Sequence, residues 1–363
     1  MIKENKPEEN ISFISPVDGD MLSKYDGKET GGKLLIKVSI SAPSGQLIKI
    51  NGKEAKSDGS IYYTDIELTG YENIIEAADI RTGEKQKIKV FWLKNVVDKY
   101  RLSIDDNIWF LKDISVNSSK YKSIFENPYL NFLKEVHNQF GTKIHLNLFY
   151  QTDGFNLSQM TDKYKSEWKD NAGWLRLSFH ALQEFPDRPY LNAGYDQVKN
   201  DCILVKDQIR RFAGEELMGP VTTLHWGAAN AEGCRALKDQ GYKALAGYFN
   251  AEGPDTVSYY LNDQKRLHIN DRFMWKDNME EIILSRMAII INTLKLEEIV
   301  PYLESLRSNG HRPPYADLMI HEQYFYSSYF NYQPDFRDKV KTSVKWAADK
   351  GYKPAFLSEC IFS

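Results

Sequence analysis

Four apolar runs of strand length in this sequence close on side chains that can move protons or hold a cation. They are Ser103-Ile104-Asp105-Asp106, Ser178-Phe179-His180, Leu224-His225-Trp226-Gly227 and Met319-Ile320-His321-Glu322. A shared metal or acid/base site needs this pattern, because its donors must reach one point from separate elements. Carboxylates and neutral imidazoles are ligands for a borderline divalent ion, and the same groups serve as general base and general acid. Trp109, Trp226 and Tyr324 flank these positions and are suited to stack on the apolar faces of sugar rings. Glu322 follows His321 directly. Neighbours on a strand point to opposite faces, so Glu322 reaches the same site only if the strand ends between them.

These side chains need elements that deliver them to one face. From about Asn95 onward, apolar runs alternate with amphipathic segments of helix length. The pattern predicts strands over 101–105, 144–149, 174–179, 221–225, 243–248, 287–291, 317–321 and 355–357. Helices are predicted over 128–140, 197–213, 231–240, 296–308 and 334–350, with Gly141, Gly214, Gly241, Gly310 and Gly351 at their C-terminal ends. Repeated βα units build a parallel sheet with helices outside, here an irregular β/α barrel, and functional groups then collect where strands end and loops begin. The earlier segment reads differently. Leu34 to Ile40 alternates apolar and polar residues, Asn51-Gly52 is a hairpin turn, and further short runs lie at 61–68, 73–80 and 86–92. It carries no clustered His, Cys or carboxylate motif, and its pattern resembles the immunoglobulin-like modules found beside bacterial carbohydrate-active domains. The fold expected is therefore multidomain: an all-β immunoglobulin-like sandwich over 1–95, then an α/β barrel over 96–363.

Composition narrows the partners. The chain has 363 residues and a net charge of −3, so it lacks the basic surplus that a nucleic-acid backbone calls for. No apolar run approaches the ~20 residues that span a bilayer. Residues 1–10 are charged and carry no apolar signal region, which fits either a cytoplasmic protein or one whose leader has been removed. Cys202, Cys234 and Cys360 are too few and too widely spaced for a disulfide framework or a zinc finger, and read as small buried apolar residues. The 22 Tyr, 18 Phe and 7 Trp lean towards a carbohydrate ligand.

From about Tyr100 onward the chain resembles the NodB-type polysaccharide deacetylases, carbohydrate esterase family four. That family opens with a strand ending in paired aspartates, and Ser-Ile-Asp-Asp-Asn at 103–107 matches it. Its second motif places two histidines four residues apart. Here His180 takes the first place and Glu184 the second. Its last motif is an apolar strand ending in Leu-x-His, similar to Leu318-Met319-Ile320-His321. The tail from Gln333-Pro334-Asp335 to Lys350-Gly351-Tyr352-Lys353 is also similar. One motif departs: where the family has an arginine bracing the catalytic aspartate, this chain reads Thr223-Leu224-His225-Trp226-Gly227. Arg312-Pro313-Pro314-Tyr315 imitates the missing motif but lies out of order and reads as a loop.

The resemblance implies metal-assisted removal of N- or O-acetyl groups from a carbohydrate. The ion implied is zinc, with cobalt or nickel as alternatives. Such an ion polarises the acetyl carbonyl and acidifies water towards a pKa of about 7. Asp105 is then the general base and His321 the general acid. Asp106 and His180 are metal ligands, and a third place falls to His225 or Glu184. Trp226, Glu322 and Tyr324 are expected to contact substrate. Two other readings stand beside this one: a glycoside hydrolase using two carboxylates among Asp105, Asp106, Glu184 and Glu322, and a carbohydrate-binding protein without catalysis. An extracytoplasmic setting fits an appended sandwich module, and the oligomeric state is left open.

Overall fold

The computed structural model describes residues 11–250, 258–308, 310 and 312–363. Residues 1–10 and His311, expected in a loop, lie outside the described residues. The chain divides into two compact units, one running to Val97 together with Trp275–Met279, the other comprising Asp98–Met274 and Glu280–Phe362. Among the described residues no helix is long and apolar enough to cross a membrane.

In the first unit the alternation of Lys33–Ser41 buries Leu34, Ile36, Val38 and Ile40 on one face. That strand pairs antiparallel with Ile61–Leu68, from Leu34 opposite Leu68 to Ser41 opposite Ile61. A second sheet is built on Glu72–Asp79 and Lys85–Trp92, also antiparallel. Each sheet has five strands, and their apolar faces share one core that includes Val38, Ile40, Ile75, Val90 and Trp92. Asn51 and Gly52 both take positive φ, 46° and 77°, as a two-residue hairpin turn requires.

The second unit is built on parallel strands, numbered here within that unit: β1 (Lys99–Asn107), β2 (Ile144–Phe149), β3 (Leu175–Ala181), β4 (Val221–Thr223), β5 (Ala244–Gly247), β6 (Ile282–Arg286), β7 (Ile289–Ile290) and β8 (Tyr315–His321). One sheet runs β3-β2-β1-β8-β7, and another joins β4, β5 and β6. The edges of the two meet. The Thr222 hydroxyl on β4 donates to the Phe179 carbonyl on β3. Beyond β6, Met287 N donates to Gly247 O at 2.8 Å and Ala288 N to Asp317 O at 2.9 Å, carrying the chain from one sheet to the other. Strand β2 is buried at every position, as parallel strands covered on both sides are. Helices α1 (Trp109–Val116), α2 (Pro128–Phe140), α3 (Tyr195–Phe212), α4 (Ala231–Asp239), α5 (Leu296–Ser308) and α6 (Phe336–Asp349) alternate with the strands. Helix α2 shows why these boundaries fall where they do: the Asn127 side chain caps Tyr129 N and Leu130 N, Pro128 opens the first turn, and Gly141 closes it at φ 69°.

Four expectations change. The strand predicted over 355–357 is instead Lys353–Pro354, paired with the start of β1, and Leu357–Glu359 is a 3-10 turn. Strand β6 went unpredicted because its apolar run, Ile282-Ile283-Leu284, is too short to have a period of its own. His225 lies just past β4, in the 3-10 turn His225–Gly227, and His268 lies on the helix Asp263–Arg272 rather than in a loop. The three cysteines are free and buried.

Candidate metal centre and active site

The end of β1 is irregular in a way that matters. Its pairing with β2 runs in register to Ile104–Leu146 and resumes at Asn107–Leu148, so a bulge falls at the two aspartates. Asp106 sits in the left-handed region at φ 64°. Bulges re-aim side chains, and this one turns two successive carboxylates to the same cavity, where a regular strand would send them to opposite faces. Asp105 and Asp106 are 3% and 8% exposed at the wall of a cavity of about 520 Å³.

Asp106, His180 and His225 form a buried group whose ligand atoms all lie within 4.8 Å of one another. Asp106 Oδ1 is 2.9 Å from His180 Nε2 and 3.1 Å from His225 Nδ1, and the two ring nitrogens are 3.2 Å apart. The other nitrogen of each ring faces a backbone carbonyl, His180 Nδ1 to Thr223 O at 2.5 Å and His225 Nε2 to Glu184 O at 3.0 Å. A carbonyl only accepts, so each of those nitrogens carries its proton and donates it. The two inner nitrogens are thus left with lone pairs, pointed at each other and at a carboxylate oxygen. Three acceptors converge where a cation or an extra proton is required. Spacings of 2.9 to 3.2 Å suit ligands held ~2.0–2.2 Å from one ion. The electrostatics agree. Burial acts to raise the Asp106 carboxyl; when the His180 and His225 imidazoles carry the extra proton, their hydrogen bonds to it overcome burial and hold the group well below the usual carboxylate range. Burial pulls His180 down, and the Asp105 and Asp106 carboxylates outweigh it, so its pKa is raised. Phe149 packs on both rings, with centroids 5.3 and 5.1 Å away.

Asp105 stands beside this group but outside it. Asn147 Nδ2 donates to its Oδ1 at 2.6 Å, and burial pushes its carboxyl up. Across the sheet Asp105 is the register partner of His321. His321 Nδ1 faces Asn292 Oδ1 at 2.8 Å, so it donates there and leaves Nε2 as the nitrogen able to exchange a proton with a ligand. Both residues line the cavity.

The remaining candidates separate. Glu184 lines the cavity, but it is its carbonyl that touches His225, while its carboxylate accepts from Tyr329 OH at 3.3 Å. Trp226 and Tyr324 line the cavity too; Trp226 is 38% exposed, with the Arg188 guanidinium 5.2 Å from its ring. The substrate contact expected of Glu322 is corrected. Its buried carboxylate accepts from Ile108 N at 2.6 Å, Trp109 N at 3.1 Å and Phe110 N at 2.7 Å, and from Tyr326 OH at 2.7 Å. It caps helix α1 from across the unit, a helix with no side-chain cap at its own Ile108. Trp109 packs against Tyr326 and Tyr329 instead of lining the cavity. Asn147 and Asn292 were missed. A signal for Asn147 was present: in β1, β2 and β3 polar residues recur at every second place within apolar runs (Arg101, Ser103, Asp105; His145, Asn147; Ser178, His180), marking one polar inward face.

No protein-family profile matches the chain, and no curated protein does. Among solved structures it is similar to a 4-alpha-glucanotransferase from Thermococcus litoralis, at TM-score 0.48 and 14% identity, over 72% of this chain and 39% of that one. The chain thus spans about two fifths of that protein's length. It is similar also to the carbohydrate deacetylase Agd3, at TM-score 0.41 and 8% identity over 88% of this chain and 68% of that one. A Mycobacterium smegmatis structure described as a polysaccharide deacetylase gives TM-score 0.38 and 8% identity over 71% of this chain and 93% of that one. All three likenesses are distant.

Proposed function

We propose that the second unit is a metal-dependent hydrolase of the deacetylase kind, closed as a β/α barrel, that removes acetyl groups from a carbohydrate, and that the first unit is an immunoglobulin-like accessory module. The observation that carries this reading is the convergence of the Asp106 carboxylate with two imidazole lone pairs whose directions the Thr223 and Glu184 carbonyls dictate. Zinc fits the donor set of one carboxylate and two imidazoles, which is three protein ligands with a position left for substrate. When bound, such an ion supplies Lewis-acid polarisation of an acyl carbonyl and acidifies water. Asp105 accepts the proton of the attacking water through the oxygen that Asn147 leaves free. His321, aligned by Asn292, returns a proton to the leaving amine or alkoxide. Trp226 and Tyr324 offer flat faces to the sugar ring.

The test is metal content of the purified protein by mass spectrometry, beside Asp106→Ala and His180→Ala, followed by acetate release from acetylated chito-oligosaccharides and acetylated xylan. Near-stoichiometric zinc in the wild type, lost in both variants, with acetate release abolished by chelator, is expected. A wild-type protein that takes up no divalent ion after dialysis against zinc, cobalt and nickel would sink the metal mechanism. Chelator-resistant sugar hydrolysis would move the assignment to a two-carboxylate reaction, which with Glu322 capping a helix would rest on Asp105 and Glu184.

A further inference from the structure

Beneath the cavity the inward faces of β1, β2, β3 and β8 carry a chain of polar side chains with no exposure above 3%: Arg101, Asp317, His145, Ser178, Asn147 and Asp105. Arg101 grips Asp317 through Nε at 3.0 Å and Nη2 at 2.7 Å. Its Nη1 is 2.7 Å from His145 Nδ1. A guanidinium only donates, so Nδ1 accepts and the His145 proton sits on Nε2. Burial, joined by the Arg101 charge, holds this imidazole far below its usual pKa, hence neutral. Nε2 donates to Ser178 Oγ at 2.9 Å, and the Ser178 hydroxyl donates to Asn147 Oδ1 at 2.5 Å. With Oδ1 so engaged, the Asn147 amide has one orientation, and Nδ2 donates to Asp105 Oδ1. The reverse orientation would set an NH₂ against the Ser178 proton and a carbonyl oxygen against a carboxylate. From Arg101 to Asp105 every hydrogen bond therefore runs one way, from a buried cation to a buried anion, and such chains polarise each member in the same sense.

We propose that Asn147 is the positioning residue for Asp105, and that Arg101, His145 and Ser178 act through it by locking its amide. The proposal rests on the reading of Asp105 as the general base. The relay conducts no proton, because an amide is not a carrier at neutral pH. Its effect is to pin Oδ1 and leave Oδ2 for chemistry.

The experiment compares wild type with Ser178→Ala, Ser178→Thr and Asn147→Leu, using zinc titration calorimetry, steady-state acetate release from acetylated chito-oligosaccharide, and hydrogen exchange of the Asn147 side-chain amide in asparagine-labelled protein. Ser178→Ala is expected to lower kcat about tenfold, the loss of one buried hydrogen bond, with KM changed by less than about threefold. Zinc affinity should hold, the Asn147 amide should exchange faster, and Ser178→Thr, which keeps the hydroxyl, should restore both readouts. Asn147→Leu should lose kcat to at least the same degree. Unchanged amide exchange in Ser178→Ala, or a rise in KM and a loss of zinc affinity in step with the fall in kcat, overturns the proposal. If the wild type releases no acetate, the hydrolase reading fails on its own, and the amide exchange alone then decides whether the relay locks Asn147.

Discussion

Replacing Glu322 with alanine tests the structure where it contradicts the simplest reading of a carboxylate beside a catalytic histidine. The carboxylate takes three backbone N–H groups at the start of α1 and one tyrosine hydroxyl, all between 2.6 and 3.1 Å. Alanine removes all four bonds and orphans buried donors, at about 1 kcal/mol each, or about 4 kcal/mol in total. The pH dependence has a definite sign. Burial pushes the Glu322 carboxyl up to about 7, even though its four donors pull it down. An unfolded glutamate ionises near pH ~4.3. Between those values the folded protein holds a proton that the unfolded chain has released, so wild-type stability falls as pH rises through that window. The fall amounts to about 4 kcal/mol over the whole window, about 3 kcal/mol of it between pH 5 and 8, and is complete above neutrality. Alanine cannot titrate, so the gap between wild type and variant should shrink from about 4 kcal/mol near pH 5 to about 1 kcal/mol near pH 8. Urea unfolding at a series of pH values, with matched slopes, measures the gap. A cost below about 1 kcal/mol near pH 5 would refute the capping role. A gap that widens with pH would show that the four donors dominate burial and that the ionised form is the cap.

Three other perturbations follow. Glu184→Gln should leave zinc content unchanged, because the carbonyl of that residue, not its carboxylate, meets His225; stoichiometric loss in elemental analysis would show the side chain to be a ligand. Arg101→Met should cost about 3–5 kcal/mol by stranding the Asp317 charge, and the double change with Asp317→Leu should recover most of it, as denaturant unfolding can verify. Trp226→Ala should weaken binding of an acetylated oligosaccharide about tenfold by calorimetry, the scale of one aromatic contact, without altering metal content.

Much of the candidate site could be read in the chain because parallel strands deliver their last residues to one edge. Asp105, Asp106, His180 and His321 are each the last or near-last inward residue of a strand, and the pattern that predicts the strand also predicts the place. His225 was harder, since it follows β4 in a turn, and only its position one residue past Leu224 hinted at it. The choice between His225 and Glu184 was beyond sequence reasoning: it depends on a backbone carbonyl, and every residue has one. Glu322 was misread for a related reason. Its partners are N–H groups more than 200 positions earlier in the chain, and no local signal distinguishes a carboxylate that caps a distant helix from one that faces a ligand. The fold was more legible where periods were long, as in Lys33–Ser41 or α2, than in the short run of β6.

The left-handed backbone at Asp106 narrows what inheritance can do there. The conformation at φ 64° admits glycine freely and asparagine or aspartate at small cost, and costs other residues about 1–2 kcal/mol. The ligand role admits only a carboxylate. A saturation library at this codon should therefore rank glycine, asparagine and aspartate highest in stability, with aspartate alone of the three suited to hold an ion. Glutamate, the nearest chemical neighbour, would cost some stability and carry its carboxylate one methylene farther out, and asparagine, the nearest in shape, would fail on chemistry. Loss of the proposed metal centre is thus a single substitution away, and the protein left behind would still be well folded.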